Sequence, residues 1–184
     1  MSATQVKITL AAVLTGTLIA AGPAIAHAQS AQNGDPTPTS EAAAAVALIN
    51  LKSGKVLQAA STANGARVVQ QTRITGTSDA LIQRWYTVLD GDYYTSENAK
   101  SGLNLGIDGG SVLAGAAAIT ANGSNDANQD WKRDYSVYDG NYFAMVNRKS
   151  GLCLGISGAS TANGAQAAQF VCDGSANQGW NTLS

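Results

Sequence analysis

Histidine is almost missing from this chain: the 184 residues include a single one, His27. It falls inside a segment, Met1 to Ala28, that reads as an export signal, so the mature protein is expected to carry no imidazole. That excludes a Ser-His-Asp triad, a Cys-His pair and any zinc site built on histidine. Charge is scarce as well. With Lys7 removed by processing, 10 basic side chains face 12 acidic ones, a net of two negative charges with no basic run. Such a chain has no electrostatic hold on nucleic acid or anionic lipid, and neither partner is expected. No pair of carboxylates is placed as a glycosidase needs, nothing resembles a metal site, and no cofactor motif occurs.

Cysteine is limited to Cys153 and Cys172. A CxxC redox motif is absent. An even count in an exported protein favours a disulfide, and closing the 19-residue separation is worth roughly 3 kcal/mol in the chain-entropy picture. The signal reading rests on Lys7, an uncharged stretch from Ile8 to Ala21, and two overlapping small-x-small sites at Ala24-Ile25-Ala26 and Ala26-His27-Ala28. The apolar run is short and rich in Ala, Thr and Gly, which argues against a membrane span; a retained N-terminal anchor is the alternative. Residues 29–45, with Pro36 and Pro38 among small polar side chains and then an alanine-rich run, read as a flexible linker. About 140 residues follow, enough for one domain with a real core.

Repetition is the most informative feature that is present. Asn-x-Lys-Ser-Gly occurs at Asn50–Gly54, Asn98–Gly102 and Asn147–Gly151. Gln-x-Trp closes each copy at Gln83-Arg84-Trp85, Gln129-Asp130-Trp131 and Gln178-Gly179-Trp180, and these hold all three tryptophans. Ser61-Thr62-Ala63-Asn64-Gly65-Ala66 recurs unchanged as Ser160 to Ala165. Short apolar runs alternate with Asn-Gly, Asp-Gly and Ser-Gly pairs suited to tight turns, and Leu152, Leu154 and Ile156 show the period of two that marks a strand with one buried face. Helical periodicity is not sustained after the linker. The expected fold is all-β, with repeats of about 45–49 residues at about 46–89, 90–138 and 139–184. A similar period suits propeller blades, but propellers use four or more; three units must close on one another to bury their edges.

The third copy, Lys149-Ser150-Gly151-Leu152-Cys153-Leu154-Gly155-Ile156 through Cys172-Asp173-Gly174-Ser175-Ala176-Asn177-Gln178-Gly179-Trp180, resembles the ricin B-type lectin family, in the style of its secreted bacterial members. The resemblance spans about Val46 to Ser184. It implies a β-trefoil with three pseudo-symmetric repeats, carbohydrate binding without catalysis, and the tryptophans in the core. A sugar pocket in this family combines a carboxylate, an aromatic platform and an Asn-Gln pair. A pyranose has an apolar C–H face and a polar edge, and such a set reads both.

Carried onto this chain, the resemblance implies Phe170 as platform in the third repeat, with Asn177 and Gln178 at the rim and Gln169 as an extra hydrogen-bonding group. Asn128 and Gln129 form the corresponding pair in the second repeat. The family's aspartate is replaced by Gly155, Gly106 and Gln58. Asp108, two residues beyond Gly106, would face the same side if the strand continued, with Ser157 a weaker counterpart in the third repeat. The first repeat, with Gln71 and Ile82 at the platform and Asn positions, reads as degenerate. Tyr93, Tyr94, Tyr138 and Tyr142 are expected to pack between strands, and Asp90, Asp139 and Asp173, each before a glycine, to serve as turn residues. The partner expected is therefore a glycan or polysaccharide. Loss of the aspartate in every repeat leaves a second reading open, a trefoil that has given up sugars and acts as a protein-interaction or inhibitor scaffold.

Overall fold

The computed structural model describes residues 44–184, so the export signal and all of the linker except Ala44 and Ala45 lie outside the described residues. The strands fall into three sets of four. The first repeat supplies β1 (Ala47–Asn50), β2 (Val56–Ala59), β3 (Val68–Gln71) and β4 (Trp85–Asp90). The second supplies β5 (Tyr93–Asn98), β6 (Asn104–Ile107), β7 (Ala118–Ala121) and β8 (Asp130–Asp134). The third supplies β9 (Phe143–Asn147), β10 (Cys153–Ile156), β11 (Ala167–Phe170) and β12 (Gly179–Leu183).

The outer strands of each repeat close a barrel. β1 pairs β12, β12 pairs β9, β9 pairs β8, β8 pairs β5 and β5 pairs β4, all antiparallel. The ring is completed by an isolated bridge between Val46 and Trp85, with backbone N···O distances of 3.0 and 2.8 Å. Closure leaves no barrel edge to recruit another chain. The inner strands form three hairpins, β2–β3, β6–β7 and β10–β11, that cap one end. This is a β-trefoil.

The motifs that repeat in sequence do equivalent structural work. Trp85, Trp131 and Trp180 are at most 1 % exposed, and their indole N–H groups donate to the carbonyls of Leu57, Leu105 and Leu154 at 3.1, 3.0 and 2.9 Å. A large ring is thus buried with its one polar atom satisfied. The Asn of each pentapeptide clasps the Gln-x-Trp segment of the preceding repeat around the barrel. Asn50 Nδ2 donates to Asn177 and Gly179 carbonyls, Asn98 to those of Ile82 and Arg84, and Asn147 to those of Asn128 and Asp130. The Oδ1 of each accepts from the backbone two and three residues on, shaping the turn that ends on Gly54, Gly102 or Gly151, where φ is 65–69°. That left-handed backbone is the reason for glycine there.

The hairpins lock to one another by the same rule. Gly65, Gly115 and Gly164 N–H donate to Thr120, Gln169 and Gln70 carbonyls, and the side chains at those three positions donate back to carbonyls of the neighbouring hairpin's tip. At the point where the hairpins meet, Gln166 Nε2 lies 2.9, 2.9 and 2.7 Å from the carbonyls of Val68, Ala118 and Ala167, the same position in each repeat. Arg67 Nε donates to its Oε1. One carboxamide therefore plugs the pseudo-threefold axis.

The repeats differ at the turn after their second strand. The second and third carry a short 3-10 turn after their second strand, Asp108–Gly110 and Ser157–Ala159. The first repeat passes directly from Ala60 to Ser61 and lacks it.

Candidate functional site

An open cavity of about 470 Å³ lies in the third repeat, bounded by Phe170, Val171, Asp173, Asn177 and Gln178 and closed on the far side by Ala114 of the second. Three of the residues expected from the sequence meet here. Phe170, the last residue of β11, is half-buried opposite Cys153, and Asn177 lies in the 3-10 turn Ala176–Gln178 that leads into β12. The Cys153–Cys172 disulfide, with Cα atoms 5.1 Å apart, ties the start of β10 to the segment that leaves β11, and so holds Val171 at the cavity's edge.

The polar groups are not all free. Asn177 Nδ2 donates to the Ile156 carbonyl at 3.3 Å, which leaves its Oδ1, without a partner among the described residues, for use as an acceptor. Gln178 is 3 % exposed and serves mainly to pin a loop: Nε2 donates to Val171 O at 3.0 Å and Oε1 accepts from Asp173 N at 3.4 Å. Gln83 and Gln129 do the same in their repeats, on Thr72 and Ile74 and on Asn122 and Ser124. The glutamine of Gln-x-Trp is thus a loop anchor whose edge reaches the cavity floor only in the third repeat.

Gln169 is a correction. It is 0 % exposed and lies outside the cavity lining. Its Nε2 donates to Ser111 and Leu113 carbonyls at 2.9 and 3.0 Å, and its Oε1 accepts from Ser150 Oγ at 2.8 Å. Period two along β11 sends it to the face opposite Phe170, where it joins two hairpins. No atom is left for a sugar.

Asp108 is a second correction. β6 ends at Ile107, and Asp108 begins the 3-10 turn instead of extending the strand, with Gly109 and Gly110 both at φ 58°. The alternation that would have returned its carboxylate to the side of Gly106 is broken, and the exposed side chain makes no hydrogen bond to Asn128 or Gln129. Asn128 itself bonds the Ile107 carbonyl at 3.2 Å, as Asn177 does Ile156. The platform position of the second repeat, paired with Asn104, is Ala121, so no ring stands there. In the first repeat Gln58 Oε1 accepts from Gln83 Nε2 at 2.7 Å.

The absence of the aspartate at 155 has a steric counterpart. A Cβ on Gly155 would come within 2.9 Å of Gln178 Cγ and 3.3 Å of Phe170 Cδ2, so the ring of Phe170 rests where a side chain would begin. What the sequence reading passed over is Asp173. It forms the turn expected of it, accepting from Ser175 N at 2.9 Å, but it also lines the cavity. The Ser175 hydroxyl, together with its N–H, holds the carboxyl below the usual aspartate value, so it is ionised and exposed at the rim. Ile74 and Ser124 occupy its place in the other repeats, as their bonds to Gln83 and Gln129 show. The clue available in the sequence was that the one repeat with an aromatic platform is also the one with a carboxylate there. Tyr138 Oη supports the same loop by donating to Ser175 O at 2.9 Å.

Comparison with known proteins agrees with this architecture. The chain is similar to the designed threefold-symmetric protein ThreeFoil at 31 % identity, covering 76 % of this chain and 98 % of that one with a TM-score of 0.71. It is similar to the exo-β-1,3-galactanase 1,3Gal43A from Clostridium thermocellum at 30 % identity and TM-score 0.69, covering 76 % of this chain but only 30 % of the galactanase. The ricin B-like lectin of Macrolepiota procera, solved with lactose, shares the fold at 21 % identity and TM-score 0.65, over 75 % of this chain and 93 % of that one. No curated protein sequence matches the chain. The family described as ricin-type β-trefoil lectin domain-like matches residues 36–120, 81–140 and 127–184 in overlapping segments, and the chain belongs to that family.

Proposed function

We propose that this chain is a secreted carbohydrate-binding protein that works without catalysis, through the cavity of its third repeat. An export signal over residues 1–28 and a linker over 29–45 precede the binding domain in this reading. The observation that carries it is the convergence, in the one repeat that has an aromatic platform, of Phe170, the ionised Asp173 and the free Oδ1 of Asn177 around one open cavity. The ring takes the C–H face of a pyranose. The carboxylate and Asn177 accept from hydroxyls on its edge. Asp173 stands in for the acceptor lost at Gly155, reached from the opposite wall. The likeness to a lectin crystallised with lactose supports the class of ligand and not the particular sugar.

A glycan-array screen of the mature protein, followed by titration with the best ligand, tests this. Phe170→Ala is expected to weaken binding by about tenfold or more, since a stacked ring contributes on the order of a kcal/mol beyond its buried area. Asn177→Ala should weaken it as well. The absence of any glycan ligand for the wild-type protein would instead favour the protein-interaction scaffold, which the glycine at position 155 in place of the family's acid already suggests.

A further inference from the structure

Two of the three repeats seal the loop that leaves their third strand with an asparagine from the neighbouring hairpin. Asn64 Oδ1 accepts from Asn122 N at 2.8 Å, and Asn163 Oδ1 accepts from Thr72 N at 3.0 Å. By the same equivalence the loop of the third repeat should receive its cap from position 114 of the second. The hairpin-tip bonds fix that alignment, because Ser61, Ser111 and Ser160 hydroxyls accept from Ala63, Leu113 and Ala162 N–H in turn. Position 114 is alanine. The N–H of Val171, counterpart of Thr72 and Asn122, has no acceptor among the described residues, and Ala114 and Val171 both line the cavity.

The change is not confined to one residue. The tip that reads Ser-Thr-Ala-Asn-Gly in the first and third repeats reads Ser111-Val112-Leu113-Ala114-Gly115 in the second. Val112 and Leu113 are 54 % and 71 % exposed, and Val171 66 %. A backbone donor without a partner, beside an apolar wall, therefore extends the cavity across the boundary between repeats. A hydroxyl does not suit such a wall. A group with a carbonyl acceptor and a small apolar end does, because an open N–H favours an acceptor and the methyl then removes apolar surface from water.

We infer that this extension is a subsite for an acyl substituent on the sugar, an acetyl ester or an acetamide, whose carbonyl oxygen accepts from Val171 N–H while its methyl lies against Ala114 and Val171. The inference rests on the carbohydrate reading above and specifies which sugars the same cavity prefers.

The experiment uses the whole mature protein and the variant Ala114→Asn, which restores the cap found in the other two repeats. Amide hydrogen exchange by NMR should show Val171 exchanging freely while Thr72 and Asn122 are protected, and Ala114→Asn should protect Val171. Binding is then measured for two pairs of probes. An O-acetylated polysaccharide is compared with the same material after saponification, and N-acetylhexosamines with the matching 2-hydroxy sugars. The wild type should prefer the acetylated member of one pair by about tenfold, the worth of one hydrogen bond with a buried methyl. The pair that shows it identifies ester or amide. In Ala114→Asn the preference should fall to near one. Sugar binding without preference, or a preference that survives Ala114→Asn, overturns the subsite and leaves the carbohydrate reading standing. Failure of every sugar to bind, with Phe170→Ala indistinguishable from wild type, overturns both.

Discussion

Asp173 carries two duties with one carboxylate. Its bonds to Ser175 shape the loop, and its exposed edge faces the cavity. The carboxyl's folded-state pKa lies below its ordinary aspartate value, so its contribution is fully present above that ordinary value and is lost as pH falls through the lowered one. Sugar affinity is accordingly expected to hold from neutral pH down to the ordinary carboxylate range and to fall only below it. Asp173→Asn should weaken binding at neutral pH and remove that acid limb, which titration of the two proteins across pH would show. Gln169 makes the opposite point. Its side chain was legible as polar and one residue from the platform, yet the strand's alternation places it in a buried join between hairpins. Gln169→Ala leaves the carbonyls of Ser111 and Leu113 and the hydroxyl of Ser150 short of partners, and should cost about 1–3 kcal/mol in denaturant unfolding.

Single elements differ between repeats more than the barrel does, and the 3-10 turn after the second strand is the clearest case. Ala159 sits there at φ 48°, where the second repeat has Gly110 at 58°. Ala159→Gly is expected to stabilise the fold by up to about 1 kcal/mol, read as a rise in thermal midpoint, because a Cβ is disfavoured in left-handed backbone. This turn also explains what the sequence could and could not disclose. Period-two patterning located β10, and the threefold repetition pointed to a closed barrel, because both follow from local geometry and burial. Extending β6 by one step sends the Asp108 carboxylate to the side of Gly106, but Asp108 already opens the turn that Gly109 and Gly110 complete. Ala114 gave no signal at all, since its importance comes from a neighbour 57 positions away that only the trefoil's closure brings beside it. The hairpin β10–β11 is held by the disulfide alone of the three. Asn104 and Gly123 occupy that place in the second repeat, where a Cβ on Gly123 would stand 3.4 Å from Asn104 Nδ2. Removing the bridge with Cys153→Ser and Cys172→Ser together should lower stability by roughly 3 kcal/mol, and loosen the cavity edge at Val171 before the barrel.

Across the whole molecule, two tyrosines register burial, Tyr94 inside the closed ring of strands and the half-buried Tyr138 in the loop between β8 and β9. Burial pushes Tyr94 up to about 12; burial and then the charge of Asp173 push Tyr138 to about 12. Both phenols have raised values in the folded state, so the stability they confer is intact below the unfolded value near 10 and drains away as pH climbs toward 12. Ultraviolet titration should find Tyr94 and Tyr138 ionising well above the ordinary phenol value, Tyr94 only as the fold opens.

Gln166 sets a limit on how alike the three repeats can become. Its carboxamide occupies a point that all three share, and the matching positions are Arg67, which reaches in to touch it, and Ala117, which keeps clear. A protein assembled from three copies of the third repeat would send three glutamines to a spot with room for one. Such a triplicate should regain its stability when two of those glutamines are cut back to alanine. Perfect symmetry and a filled summit are, for this chain, mutually exclusive.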